Sequence, residues 1–337
     1  MEFDESLFNP GEIIADRYEI VEELGRGAYG VVFRAIQLGI GRDVALKTLL
    51  PHTVGTEEQQ RFEREALAVS RFNHPNIVTL HDYGEHQGVL FMVMEYVEGY
   101  HLRDVIDAEA PLDPRRVRWV IYQLLDALQY AHEQGVVHRD LKPANIQLIP
   151  NLSGGTGPPE KVKVLDFGIA KFMHGDGEEG SPLDTLTQTG VAMGTPQYMS
   201  PENITGDPVT HHADIYAVGL LIYEMLTGKP AFSGDSPHEV MVSHLNDRPP
   251  KLPRQPHLRP FERVVAGALV KQPDERIPSA RAMQELLELD APAPDPTQEF
   301  SPQLVATDDR SWLVPMVAVA AASTVVIILM VLILLYS

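Results

Sequence analysis

Between two apolar runs, Val136-Val137 and Ile146, Leu148 and Ile149, the chain carries His138-Arg139-Asp140-Leu141-Lys142-Pro143-Ala144-Asn145. Such a density of charge between two short buried strands is poor core filler, because a buried charge must be paired or neutralised. The stretch therefore reads as a turn on which Asp140, Lys142 and Asn145 converge. Those three side chains look like a base, a phosphate ligand and a metal ligand. A turn of this kind acts only if other parts of the chain complete the site around it.

The N-terminal part supplies candidates. Strand-like stretches, Tyr18 to Leu24 and Val31 to Phe33, flank Gly25-Arg26-Gly27-Ala28-Tyr29-Gly30. Taken alone, this glycine spacing is weak evidence. A dinucleotide site would need a helix directly after it and an acidic residue roughly 20 residues further on. Here the glycines lead into β-branched Val31 and Val32, so a hairpin is expected, with glycine N–H groups free to approach phosphates. The next strand, Asp43-Val44-Ala45-Leu46-Lys47, ends on a lysine that by itself could be a solvated strand end. Residues 57–72 have helical periodicity, apolar at Phe62, Ala66 and Val69. Glu65 lies beside that apolar face and is preferred over Glu63 as a partner for Lys47.

Strands are expected at Ile77–Tyr83 and Val89–Val97, joined by a turn at Glu85 to Gly88. Residues 101–135 read as helical, with Asp113 as cap, Pro114 in a first turn and Gly135 as the stop. Trp119, Tyr122, Leu125, Leu128 and Tyr130 are its expected core stripe. Pro150 to Pro159 is a loop by composition. The return strand Val162-Lys163-Val164-Leu165 runs straight into Asp166-Phe167-Gly168. A long polar segment, His174 to Met193, then reaches Gly194-Thr195-Pro196-Gln197-Tyr198-Met199-Ser200-Pro201-Glu202; loops of this length are usually functional or mobile. Helices follow, a buried one opening at Asp214 and a last amphipathic one from Ala280 to Leu289.

Taken in order, these motifs resemble those of the eukaryotic-like (Hanks-type) serine/threonine protein kinases of bacteria. The resemblance covers about residues 18 to 289. It implies an α+β, bilobal protein-kinase fold: a small β-rich lobe at about 18–97 and a larger helical lobe at about 98–289, after an extension at 1–17. By that resemblance Asp140 steers the proton of the acceptor hydroxyl and Lys142 stabilises the γ-phosphate. Lys47, backed by Glu65, grips the α- and β-phosphates of ATP. Asn145 and Asp166 would hold Mg²⁺, or Mn²⁺ in its place. Gly25, Gly27, Gly30, Val32, Ala45, Met94, Glu95, Val97 and Gln147 would line the nucleotide site, the backbone of Glu95 and Val97 bonding adenine. Gln147 departs from the family pattern, which commonly places an aliphatic residue beneath the base.

The resemblance also assigns His138 and Phe167 to packing, Gly168 to the turn after the metal ligand, and Asp214 to the catalytic-loop backbone. Glu202 would pair with Arg276. Lys142 and Thr195 mark the serine/threonine type, Thr195 organising the acceptor site beside Asp140 and Lys142. Arg139 implies activation by phosphorylation of the long loop, with Thr187 and Thr189 the first choices and Thr185 the third. Protein substrates are implied, with a homodimer for phosphorylation between copies. The competing classes are a pseudokinase scaffold, against which intact Lys47, Asp140, Asn145 and Asp166 stand, and a small-molecule phosphotransferase, against which the long loop stands.

Composition bears on the surroundings. The net charge of −20 makes nucleic acid an unexpected partner, so an anionic substrate must be met by a local cluster of cations. The absence of cysteine excludes a disulfide scaffold and a thiol nucleophile. Met1 to Pro10 is acidic, with no leader expected. Residues 290–311 form an acidic, proline-containing spacer. From Leu313 to Tyr336 there is no charge, and as a helix this stretch would be about 36 Å long, enough to cross a bilayer core of about 30 Å. Residues 312–337 are therefore an expected transmembrane helix, with Trp312 and Tyr336 as interfacial aromatics. The expected topology is single-pass in the inner cell membrane, the kinase domain cytoplasmic and the C-terminus at the far face. Ala318 and Ala322 form a small-residue pair of the kind that lets two spans approach.

Overall fold

The computed structural model describes residues 7–27, 30–49, 66, 67, 69–151, 160–167 and 195–289. The chain divides into two units, Met1–Glu299 and Phe300–Ser337, and every described residue lies in the first. Among the described residues no helix is long and apolar enough to cross a membrane. The expected span at 312–337 lies outside them.

The N-terminal lobe is a six-stranded antiparallel sheet of β1 (Ile13–Ile14), β2 (Tyr18–Gly27), β3 (Gly30–Gln37), β4 (Arg42–Thr48), β5 (Leu80–His86) and β6 (Val89–Glu95), in the order β1-β2-β3-β4-β6-β5. Period-two alternation sorts its side chains. Val31, Phe33, Val44, Leu46, Phe91 and Val93 build a core on one face, with Phe8, Ile14, Tyr18 and Ile20. The pairings Val32 with Lys47 and Ala45 with Met94 put those four residues on the other face. One register thus separates core from site. The expected strand at Ile77–Tyr83 starts later, at Leu80, because Ile77 and Val78 instead bridge to Val164.

The larger lobe contains a small sheet of β7 (Tyr100–His101), β8 (Ile146–Pro150) and β9 (Glu160–Val164). Around it stand α1 (Leu102–Glu109), α2 (Pro114–Glu133), α3 (Pro201–Thr205), α4 (His211–Thr227), α5 (Pro237–Asn246), α6 (Arg259–Ala268) and α7 (Ala280–Leu289). The stretch 101–135, expected to be helical, forms two helices with a break between them, and the second has Asp113 as its cap and Pro114 in its first turn, as expected. Pro111 has no N–H to continue α1, and Asp113 starts α2 afresh by accepting from Arg115 N–H. The stripe expected on α2 is also rotated. Its buried face runs through Val117, Val120, Ile121, Leu124, Leu125 and Leu128, while Trp119 and Tyr122 are exposed. α4 is apolar nearly all round and buried along most of its length, as a helix through the centre of a domain must be.

Candidate active site

The turn after α2 is held from beneath by α4. Asp214, in its first turn, is buried. Its Oδ2 accepts from the backbone N–H of His138 at 2.9 Å, and its Oδ1 from that of Arg139 at 3.0 Å. His132 Nε2 lies 2.7 Å from the same Oδ2. Burial pushes the Asp214 carboxyl up, but His132, His138 and these bonds outweigh it and hold the group below the usual carboxylate range. The support matters because Arg139 has φ 64, a left-handed conformation costly for a long side chain. Asp140 N–H then bonds His138 O at 2.8 Å, which closes the bend.

The bend aims three side chains together. Asp140 Oδ2 accepts from Lys142 Nζ at 2.8 Å and from Asn145 Nδ2 at 3.2 Å. Asn145 Nδ2 also donates to Asp140 O at 2.8 Å. Oδ1 of Asp140 makes no hydrogen bond among the described residues and is left as an acceptor. Asn145 likewise keeps its side-chain oxygen. Leu165 N–H bonds Asn145 O at 2.8 Å, stitching the turn to the stretch that carries Asp166.

Asp166 has φ 50, the second left-handed position at this site. Lys47 Nζ, reaching down from β4, lies 2.8 Å from its Oδ2. Burial raises the Asp166 pKa, yet the Lys47 charge and hydrogen bond, with His138 and Lys142 beyond, bring it below its ordinary value. The adjacent Phe167 sits with its ring centroid 4.7 Å from His138 and 5.6 Å from Phe72. His138 Nε2 lies 2.9 Å from Leu165 O. A carboxylate and an amide oxygen are hard ligands suited to Mg²⁺, which commonly takes few protein ligands and completes its shell with phosphate and water. No cluster of three or more His, Asp or Glu is present among the described residues, so Asn145 and Asp166 fit an ion shared with phosphates rather than one caged by protein.

Above the turn, Val32, Ala45 and Met94 line the site face of the upper sheet. At Gly30 any side chain is excluded: a Cβ there would lie 1.8 Å from Thr48 O. Gly25 pairs with Val32 and Gly27 with Gly30, the former with open space around its Cα. Glu95 donates its N–H to Thr79 O at 2.8 Å, leaving its carbonyl for a ligand. Its carboxylate meets buried Lys163 at 2.6 Å, and Lys163 also bonds Ile77 O at 3.1 Å. Gln147 on β8 donates to Val97 O at 2.8 Å.

Further down, Arg276 grips Glu202 with both Nη atoms at 2.7 Å, both side chains buried. Thr195 leads into the turn Pro196–Tyr198, and no hydrogen bond joins it to Asp140 or Lys142 among the described residues. Tyr198 bonds Glu224 of α4, which pairs with Arg103 of α1 at 3.0 Å. Glu65, Gly168, Thr185, Thr187 and Thr189 lie outside the described residues. Sequence reasoning missed His132, Phe72, Lys163 and the Arg103–Glu224–Tyr198 group. Only Lys163 carried a signal, a cation at a buried position of the Val162–Leu165 strand.

The model of the protein kinase domain matches residues 18–288. The chain is 42% identical over 285 residues to the serine/threonine-protein kinase pkn3 of Myxococcus xanthus, covering 82% of this chain and 50% of that protein. It is 40% identical over 278 residues to the serine/threonine-protein kinase PknB of Mycolicibacterium smegmatis, covering 80% of this chain and 42% of that protein. The chain thus spans about half the length of these relatives. Among solved structures it resembles the PknI kinase domain of Mycobacterium tuberculosis, with TM-score 0.64 and 28% identity, covering 85% of this chain and 100% of that one. Rad53 in complex with AMP-PNP gives TM-score 0.62 at 27% identity, over 80% of this chain and 64% of that one.

Proposed function

The chain belongs to the protein kinase family, and from that premise we propose that it transfers the γ-phosphoryl group of ATP to serine or threonine hydroxyls of proteins. The observation that supports this most is the convergence of Asp140, Lys142 and Asn145 on one turn while Lys47 meets Asp166 at 2.8 Å across the cleft. Phosphoryl transfer asks the protein for positioning and charge neutralisation more than for covalent chemistry. Asp140, with Oδ1 open, orients the acceptor hydroxyl and draws on its proton. Lys142 is within one hydrogen bond of Asp140 and holds positive charge where the transferred group passes. Lys47 binds the phosphate chain from above. Asn145 and Asp166 hold Mg²⁺, which when bound neutralises charge on the phosphates. Val32 and Ala45 from above and β8 from below would hold the base, with the backbone of Glu95 and Val97 offered to its edge.

The finer readings rest on sequence. Arg139 and the threonine-rich loop support autophosphorylation at Thr187, Thr189 or Thr185, between copies of a homodimer. The uncharged Leu313–Tyr336 run supports anchoring in a bilayer through 312–337. The need for ATP supports a cytoplasmic kinase domain.

Labelled ATP with Mg²⁺ tests the central claim. The natural chain should label itself and basic test proteins on serine and threonine. Asp140→Asn should lose at least about 100-fold of that transfer, the order expected when a positioned acid–base group is removed. Equal transfer by both chains would overturn the assignment.

A further inference from the structure

Val97 presents its two backbone groups unequally. Its N–H makes no hydrogen bond among the described residues, while its carbonyl accepts from Gln147 Nε2 at 2.8 Å. The bond closes a long loop of chain, and the backbone around it has no slack. A Cβ on Gly99 would lie 2.4 Å from Leu148 O and 3.3 Å from Gln147 Cγ. Gln147 is itself fixed on the middle strand of its sheet, opposite His101 on one side and Lys163 on the other. The amide is half-buried on the site side of β8, two residues beyond Asn145.

We infer that Gln147 is a specificity-determining residue of the nucleotide site, which occupies the Val97 carbonyl and so selects purines that lack a 2-amino group. The inference rests on the ATP-site reading above. The edge of adenine runs from an amine donor at C6, through the N1 acceptor, to a bare C–H at C2. With the Glu95 N–H engaged by Thr79, Glu95 offers only its carbonyl, which suits the C6 amine. The open Val97 N–H suits N1. The C2 position then faces the Val97 carbonyl. A C–H there requires no acceptor, so the bond from Gln147 persists when adenine binds. A 2-amino group is a donor brought against a carbonyl that already accepts the Gln147 amide, so it must crowd onto the oxygen's second lone pair beside the Gln147 NH₂ or displace that NH₂ and leave it without its partner. A buried polar group left unpaired is penalised more than a paired one is rewarded.

The test is equilibrium binding of ATP and of 2-amino-ATP, each with Mg²⁺, to the full chain and to Gln147→Met and Gln147→Leu. Methionine keeps the length without a donor, and leucine restores the aliphatic type usual in the family. The 2-amino analogue retains the C6 amine and N1, so it isolates the one added donor. The natural chain should bind ATP more tightly than 2-amino-ATP by about 3- to 10-fold, the scale of one hydrogen bond. Both variants should shift the ratio toward the 2-amino analogue by a similar factor. A role confined to packing would change the two affinities together and leave their ratio fixed. An unchanged ratio in both variants, with ATP still bound by the natural chain, overturns the inference and leaves the kinase reading standing. Failure of the natural chain to bind either nucleotide overturns both.

Discussion

Asp214→Asn is the substitution that most directly probes how the catalytic turn is held. The carboxylate bonds three groups: Arg139 N–H on Oδ1, His138 N–H on Oδ2, and His132 on Oδ2. Asparagine keeps one oxygen and puts an NH₂ group where the other stood. If the NH₂ takes the Oδ2 place it faces His138 N–H; if it takes the Oδ1 place it faces Arg139 N–H. Either rotamer sets donor against donor at one of two consecutive amides. Losing one bond to a charged acceptor costs about 1.5–3 kcal/mol. That is roughly 10- to 150-fold in an opening equilibrium, at about 1.4 kcal/mol per factor of ten. Hydrogen exchange at the His138 and Arg139 amides reads this directly and should accelerate by that factor. Asp140 follows immediately, so phosphate transfer should fall at least as far, while nucleotide affinity, set mainly by the upper lobe, changes much less. Unchanged exchange at both amides in a folded Asp214→Asn chain, or transfer at the natural rate, would refute the reasoning.

Lys47→Met should lower phosphate transfer by about 100-fold or more, since it removes a preorganised cation from the site and strips Asp166 of its 2.8 Å partner; steady-state transfer checks it, and a loss under fivefold would count against the role. Gly30→Ala puts a Cβ 1.8 Å from Thr48 O and should destabilise the β3–β4 hairpin by about 1–3 kcal/mol or more, measured by urea unfolding. A pH effect follows from His244, which is buried with its pKa pushed down to about 3, chiefly by desolvation and then by Lys271. Between pH 6.5 and about 3 the unfolded chain binds a proton that the folded chain excludes. Stability should therefore be full above pH 6.5 and fall by up to about 1.4 kcal/mol per unit below it. Asp166 and Asp214, both held below the usual carboxylate range, lose their contributions only at lower pH, as each carboxylate is protonated. His244→Gln should flatten the slope between pH 6.5 and 4, and a slope equal to that of the natural chain would exclude His244 as its source.

The upper sheet was legible because strand alternation and glycine placement act locally. Val32, Ala45 and Lys47 follow from a period of two, and a hairpin was evident from the β-branched residues after Gly30. The helical lobe was less so. Asp113 and Pro114 marked the start of α2, but the end of α1 at Glu109, just before Pro111, went unmarked although a proline is a stop signal. Trp119 and Tyr122 were placed in the core on size and spacing, but the phase of α2 is set by α4 and α7, which sequence does not report. The site residues in the turn were legible by motif. Their supports were not: His132 is a mid-chain histidine until α2 lies against α4, and Phe72 is one aromatic among many until it meets Phe167. The Gln147–Val97 bond spans 50 positions, beyond any local pattern.

α4 explains why so acidic a chain can hold an anionic substrate. A helix buried nearly all round has few positions for a polar group, and each one it carries must find a partner. Asp214 at its start holds the catalytic turn. Tyr216, two residues on, lies under the Arg276 guanidinium at 4.8 Å, and Arg276 is bound in turn by Glu202. Glu224 near its end engages Arg103 and Tyr198, beside the turn that follows Thr195. Carboxylates inside the larger lobe are thus paired with arginines and histidines, or with backbone N–H groups. Among the described residues, Lys47 and Lys142 pair with Asp166 and Asp140, the two carboxylates that the proposed reaction would engage. In the proposed reaction a metal ion and an acceptor hydroxyl would draw on those carboxylates, which would free both lysines for the phosphates. Positive charge thereby concentrates at one place in a chain of net charge −20.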